Sequence, residues 1–150
     1  MSCAVLSVLQ RPAESAIRSG HDRQREFLAA FTKTTVIRPI SSVEAAVLEN
    51  VLRVGAVGTL SSEAVASVKR LCVTAICKCG CATVWFGPKG DAANGSMAAE
   101  ACGTWEGETI GIIVWCADGQ IVGLEVVGTG TLGLPDPASV RPLERWFQAT

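Results

Sequence analysis

Ile110-Gly111-Ile112-Ile113-Val114-Trp115-Cys116-Ala117-Asp118-Gly119-Gln120-Ile121-Val122-Gly123-Leu124-Glu125-Val126-Val127 is the stretch on which the fold turns. Apolar residues fill both arms, and Asp118-Gly119 sits between them. A two-residue hairpin turn needs positive φ at its centre, which Asp-Gly tolerates. The stretch therefore predicts an antiparallel pair of strands over 110–117 and 120–127. A simple two-residue register sets Trp115 against Val122, Ile113 against Leu124 and Gly111 against Val126, giving one wholly apolar face. The other face carries Ile112, Val114, Cys116, Ile121, Gly123 and Glu125 and is smaller and partly polar.

Upstream, residues 71–77 alternate as a strand, and residues 82–86 (Ala82-Thr83-Val84-Trp85-Phe86) read as its return after a Cys-Gly-Cys turn. Pro88 ends that strand. Residues 87–108 hold five glycines and few apolar runs, which predicts a loop. A helix over 42–54 precedes the strands. Ser41 and Glu44 form a capping box, each side chain satisfying an otherwise unpaired backbone N–H. Val43, Val47, Val51 and Val54 recur at helical spacing, with Leu48 and Leu52 widening the stripe and Gly55 as the stop. Asn50 and Arg53 are expected to face water. Ser61 or Ser62 caps a short helical turn over 61–67, and a last turn over 140–147 closes one end through Leu143, Trp146 and Phe147. The expected fold is α+β: an antiparallel four-stranded meander with N-terminal helices packed on its apolar face. Residues 1–37 read as a leader, loose apart from a short helix over 22–31, and residues 38–150 as a single domain.

The chain has 150 residues, 49% of them hydrophobic, which suffices for one globular core. Thirteen basic residues face 14 acidic ones, for a net charge of -1, so a generally basic nucleic-acid binder is excluded. No apolar run reaches the length of roughly 18 residues that a membrane span needs. The first ten residues have no basic region and a short apolar stretch broken by Ser7, so a secretory signal is not expected. The expected compartment is the cytoplasm, where the seven cysteines would stay reduced.

Chemistry concentrates at Cys77-Lys78-Cys79-Gly80-Cys81. Three thiols within five residues at a turn can converge on one point, and thiolates bind zinc at about 2.3 Å. A closed site needs a fourth ligand, with Cys72, Cys102, Cys116 and His21 as the candidates. The alternatives are a plain hairpin turn with its outer cysteines packed and Cys79 at the tip, or a redox thiol favoured by Lys78. Zinc is the one cofactor in prospect; otherwise none is expected. Gly128-Thr129-Gly130-Thr131-Leu132-Gly133 matches G-x-G-x-x-G, but Leu134-Pro135-Asp136-Pro137 forbids the helix a dinucleotide site requires. One His and no Tyr leave little for acid–base catalysis, and no nucleophile or metalloprotease motif occurs, so an enzyme is not expected.

Between Gly90 and Val140 stand seven acids (Asp91, Glu100, Glu106, Glu108, Asp118, Glu125, Asp136) and no Lys or Arg. If these acids share an edge, that edge repels phosphate and attracts a basic partner. Glu106, Glu108, Asp118, Glu125 and Asp136 are the expected partner-binding residues. The lead into the helix (Arg38-Pro39-Ile40-Ser41), the C-x-C-G-C turn, the Asp118-Gly119 hairpin and the Leu134-Pro135-Asp136-Pro137 tail together resemble a group of small bacterial proteins over about 38–142. The helix-on-sheet layout also looks like bacterial immunity proteins. That likeness implies a non-enzymatic protein that binds and occludes a cognate basic toxin domain, such as a nuclease. The alternative is a small zinc-binding module using Cys77, Cys79 and Cys81.

Overall fold

The computed structural model describes residues 33–87 and 95–143. Seven strands form one sheet: β1 Lys33–Pro39, β2 Cys72–Cys77, β3 Val84–Phe86, β4 Ser96–Trp105, β5 Glu108–Ala117, β6 Gln120–Val127 and β7 Arg141–Pro142. Their order is β1-β2-β3-β6-β5-β4-β7, and every pairing is antiparallel. Helix α1 (Ser42–Gly55), short helix α2 (Ser62–Ala66) and two 3-10 turns, Val68–Arg70 and Pro137–Ser139, complete the described chain. The class is α+β as expected; the four-stranded meander is corrected to seven strands. Among the described residues no helix is long and apolar enough to cross a membrane.

The capping box forms as read. The Glu44 N–H donates to Ser41 Oγ at 3.2 Å, and the Ser41 N–H donates to Glu44 Oε2 at 2.8 Å. The buried stripe is rotated slightly from the expected one: it runs through Glu44, Ala45, Val47, Leu48, Val51 and Leu52, while Val43 stays 47% exposed. Asn50 does not simply face water, because its Nδ2 donates to the Pro137 carbonyl at 3.0 Å. Burying Leu48, Val47 and Val51 completely is worth roughly 1.5–3 kcal/mol each.

The expected loop over 87–108 contains β4, ten residues long and paired with β5 along its whole length. Its composition hid it. Alanines at 98, 99 and 101 are poor strand formers by propensity, yet all three are buried in the main core. They leave room for α1 to pack close, and Gly55 at the helix end abuts the β4 backbone, where a Cβ would lie 1.8 Å from the Glu100 carbonyl oxygen. The β4–β5 turn is a second two-residue hairpin, with Glu106 at φ 48° and Gly107 at φ 85°, matching Asp118 at 52° and Gly119 at 73° in the anticipated one.

The hairpin β5–β6 forms, but its register differs. Cys116 pairs with Ile121, whereas Trp115 pairs with Gly123 and Val114 with Leu124, so Val122 is an extra, bulged residue. One inserted residue moves every later side chain to the other face. Ile112, Val114, Cys116, Ile121 and Leu124 therefore form the face that joins α1 in the core, together with Val73 and Phe86. Trp115 and Ile113 take the opposite face, the reverse of the simple reading, and join Gly123 and Glu125 there, which the simple reading had already set away from the core.

The chain ends also differ from expectation. β1 begins at Lys33 and spans position 37, where the leader was expected to end. Around the expected last helix, Pro137–Ser139 is a 3-10 turn and Arg141–Pro142 pairs with β4. Trp146, Phe147, His21, Asp91 and the expected helix over 22–31 lie outside the described residues.

Candidate functional site

Strand β2 delivers Cys77, and the turn to β3 delivers Cys79 and Cys81. The Gly80 N–H donates to the Cys77 carbonyl at 3.3 Å, and Gly80 adopts φ 85°, a left-handed conformation that glycine takes without steric cost. Two contacts pin the turn to the sheet end. The Ala82 N–H donates to the Leu132 carbonyl at 2.7 Å. Thr83, buried, accepts the Val126 N–H at 3.1 Å on its hydroxyl oxygen and the Cys81 S–H at 3.4 Å. Thr83 was not singled out in the sequence; an isolated Thr before a strand gives no signal that its hydroxyl bridges to a strand more than forty positions on.

The result is a cluster. The Sγ atoms of Cys77, Cys79 and Cys81 all lie within 4.8 Å of one another, and Cys77 and Cys79 approach to 2.9 Å. Cys79 is exposed, with the Cys81 N–H donating to its sulfur at 3.4 Å. Hydrogen bonding from the Cys77 side chain first, and from the Cys81 backbone N–H, favours its thiolate and brings its pKa down to about 7. Burial, and then donation to Cys79, push Cys77 up to about 11. One thiol is thus readily ionised beside one that holds its proton.

The thiols open onto a cleft of about 290 Å³ that Thr83, Trp85, Glu125, Gly128 and Gly130 also line. The G-x-G-x-x-G segment is therefore a wall of the thiol cleft, and among the described residues the 3-10 turn Pro137–Ser139, but no α-helix, follows it. Trp115 Nε1 donates to Glu125 Oε2 at 2.7 Å, holding that carboxylate in place. Gly123 lies between Trp115 and Trp85 in the ladder; a Cβ there would sit 2.6 Å from the Trp85 ring. A lone glycine within a strand was the available signal for this close approach.

Of the proposed fourth ligands, none joins the cluster among the described residues. Cys102 on β4 lies beside the Arg141 and Pro142 carbonyls, and Cys116 on β5 lies 3.2 Å from Ser96 Oγ. Cys72 is disulfide-bonded, contrary to the expectation of wholly reduced cysteines.

The five expected partner-binding acids do not form one group. Glu106 in the β4–β5 turn and Glu108 just after it are exposed. Asp136, also exposed, is tied to the same sheet end by its N–H donating to the Thr104 carbonyl at 3.0 Å. Strand pairing sets the thiol turn and Glu125 at that end too, because β5 starts where β6 finishes. Asp118 stands at the opposite end of β5, ten residues and roughly 30 Å away. A second hollow, of about 460 Å³ beside the start of α1, is lined by Ser41, Ser42 and a surface ion pair, Lys69 to Glu49 at 3.6 Å.

Comparison with family models, with curated proteins and with solved structures finds no match to this chain. Its chemistry rests on the geometry above.

Proposed function

We propose that this chain is a small binding module that takes a soft metal ion, zinc in the first instance, on the thiolates of Cys77, Cys79 and Cys81. The observation that carries it is the convergence of three sulfurs from a single five-residue turn to within 4.8 Å. Three thiolates at the zinc–sulfur distance of about 2.3 Å would stand about 3.8 Å apart in a tetrahedral arrangement. The closest pair stands at 2.9 Å and all three lie within 4.8 Å, so side-chain adjustments of about 1 Å would reach that value. Three ligands would come from the turn, and a fourth would have to come from water or from another side chain.

The test is elemental analysis of full-length protein purified without an affinity tag. The expected result is about one zinc per chain, lost in Cys79→Ser, with a lower Tm in chelator. Less than about 0.1 zinc per chain, with no loss of stability in chelator, overturns the assignment.

One observation favours a second function for the same end of the sheet. Exposed Glu106, Glu108 and Asp136 gather there with no Lys or Arg between Gly90 and Val140. Such a surface suits a non-enzymatic role in which a basic protein, a toxin domain being the concrete case, is bound and occluded. Glu125 is engaged by Trp115 and Asp118 is remote, so neither carries the contact. Glu106→Lys with Glu108→Lys is expected to slow association and flatten its salt dependence; unchanged kinetics would discard this role.

A further inference from the structure

We infer that Cys77 and Cys79 form a dithiol that undergoes stoichiometric exchange with low-molecular-weight disulfides, Cys79 attacking and Cys77 resolving. The geometry differs for the three thiols. Cys79 is exposed at the tip of the turn, open to a small molecule entering the cleft. Cys77 Sγ is 2.9 Å from Cys79 Sγ, so the two sulfurs need to close by only about 0.9 Å to reach the disulfide length of about 2.05 Å. Cys81 is occupied differently, its S–H directed to Thr83 and its N–H to Cys79. The approaching pair is thus Cys77 and Cys79, joined through Lys78.

The chemistry balances with the small disulfide as oxidant. The Cys79 sulfur attacks one sulfur of the disulfide; its S–S bond breaks and one thiolate leaves. The Cys77 sulfur then attacks Cys79 in the mixed disulfide and expels the second thiolate. Two electrons pass from the cysteine pair to the small disulfide, and the two cysteine protons finish on the two departing thiols. This exchange belongs to the metal-free chain and does not depend on the metal assignment. Where a metal binds, oxidation of these two sulfurs would remove two of its ligands.

Sequence makes the test direct. Trypsin cuts after Arg70, Lys78 and Lys89, so Cys77 and Cys79 fall on different peptides, 71–78 and 79–89. Full-length protein is reduced, freed of reductant, kept in chelator and treated with oxidised glutathione. Apart from the re-formed Cys72 disulfide, the expected product has lost two further hydrogens, and its non-reduced digest contains peptides 71–78 and 79–89 joined through Cys77 and Cys79, with fragment ions excluding Cys72 and Cys81. Cys77→Ser is expected to stop as a glutathione adduct on Cys79, and Cys79→Ser to slow the reaction at least tenfold. A wild-type product that stops at the adduct, a Cys79–Cys81 link, or no reaction overturns the inference. The metal assignment is read separately from zinc content, so either can fail alone.

Discussion

The Arg38 guanidinium meets both carboxylate oxygens of Glu44, Nη1 to Oε2 at 2.8 Å and Nη2 to Oε1 at 2.6 Å, and joins the end of β1 to the first turn of α1. Glu44 is only 4% exposed and also accepts the Ser41 N–H, so a single carboxylate closes the helix cap and neutralises a strand cation. Burial alone would raise its pKa. The Arg38 hydrogen bond, the Ser41 bonds and the nearby positive charge outweigh burial, and the net shift is downward from 4.5.

A depressed carboxyl pKa stabilises the fold above the unfolded value, and the contribution is lost as pH falls through the folded one. The protein is therefore expected to lose stability below about pH 4.5, and Glu44→Gln to flatten that acid limb in urea titrations. Arg38→Ala should cost about 1–3 kcal/mol. That is less than removing one partner of a fully buried pair, because the Arg38 side chain remains 41% exposed. An unchanged acid limb in Glu44→Gln would refute the linkage.

Deleting Val122 tests the bulge. With that residue gone, Cys116–Ile121, Trp115–Gly123 and Val114–Leu124 form an uninterrupted ladder and every later side chain keeps its face. The expected cost is the lost burial of one valine, about 1.5–3 kcal/mol, with cooperative unfolding retained. If Trp115 instead paired with Val122, the deletion would send Leu124 and Val126 to the wrong face and abolish cooperative folding.

Gly55→Ala is expected to be more damaging than a helix-end substitution usually is. Alanine is the better helix former by about 1 kcal/mol, so propensity alone predicts a gain. The added Cβ would instead meet the Glu100 carbonyl, a backbone group that cannot swing aside. A loss of about 1–3 kcal/mol or more is expected from chemical denaturation, and a gain would show that α1 and β4 do not pack this closely.

Alkylation measures the thiols individually. In metal-free protein, Cys79 should reach half-maximal reactivity with iodoacetamide near pH 7, well below the ordinary 9.0, because the lowered pKa exposes thiolate earlier. Cys77 should resist until near pH 11. Fragment ions of peptides 79–89 and 71–78 assign the label to Cys79 rather than Cys81 and to Cys77 rather than Cys72. A Cys79 midpoint near 9 would mean that its neighbours do not donate to it.

Much of the helix was legible because its signals are local. Ser41 and Glu44 are three residues apart, and Val47, Leu48 and Val51 mark one side of a single helix. The Asp118-Gly119 turn was equally local. Strand β4 was not legible, since its alanines make sense only beneath α1. The candidate site was half legible: three cysteines in five residues announced themselves. The support from Thr83, the Trp115–Glu125 bond and the Gly128–Gly130 wall come from segments far apart in the chain.

By itself, the sequence determined the capped helix, the two-strand turn chemistry, the α+β class and the crowding of thiols at Cys77, Cys79 and Cys81. Each depends on residues within a few positions of one another, where backbone geometry leaves little choice. Tertiary structure alone decided which face of β5 is core, because one bulged valine shifts β5 by one residue against Leu124 and Val126 of β6. It also decided which acids share an end with the thiols, since strand order, not position in the chain, sets what lies side by side.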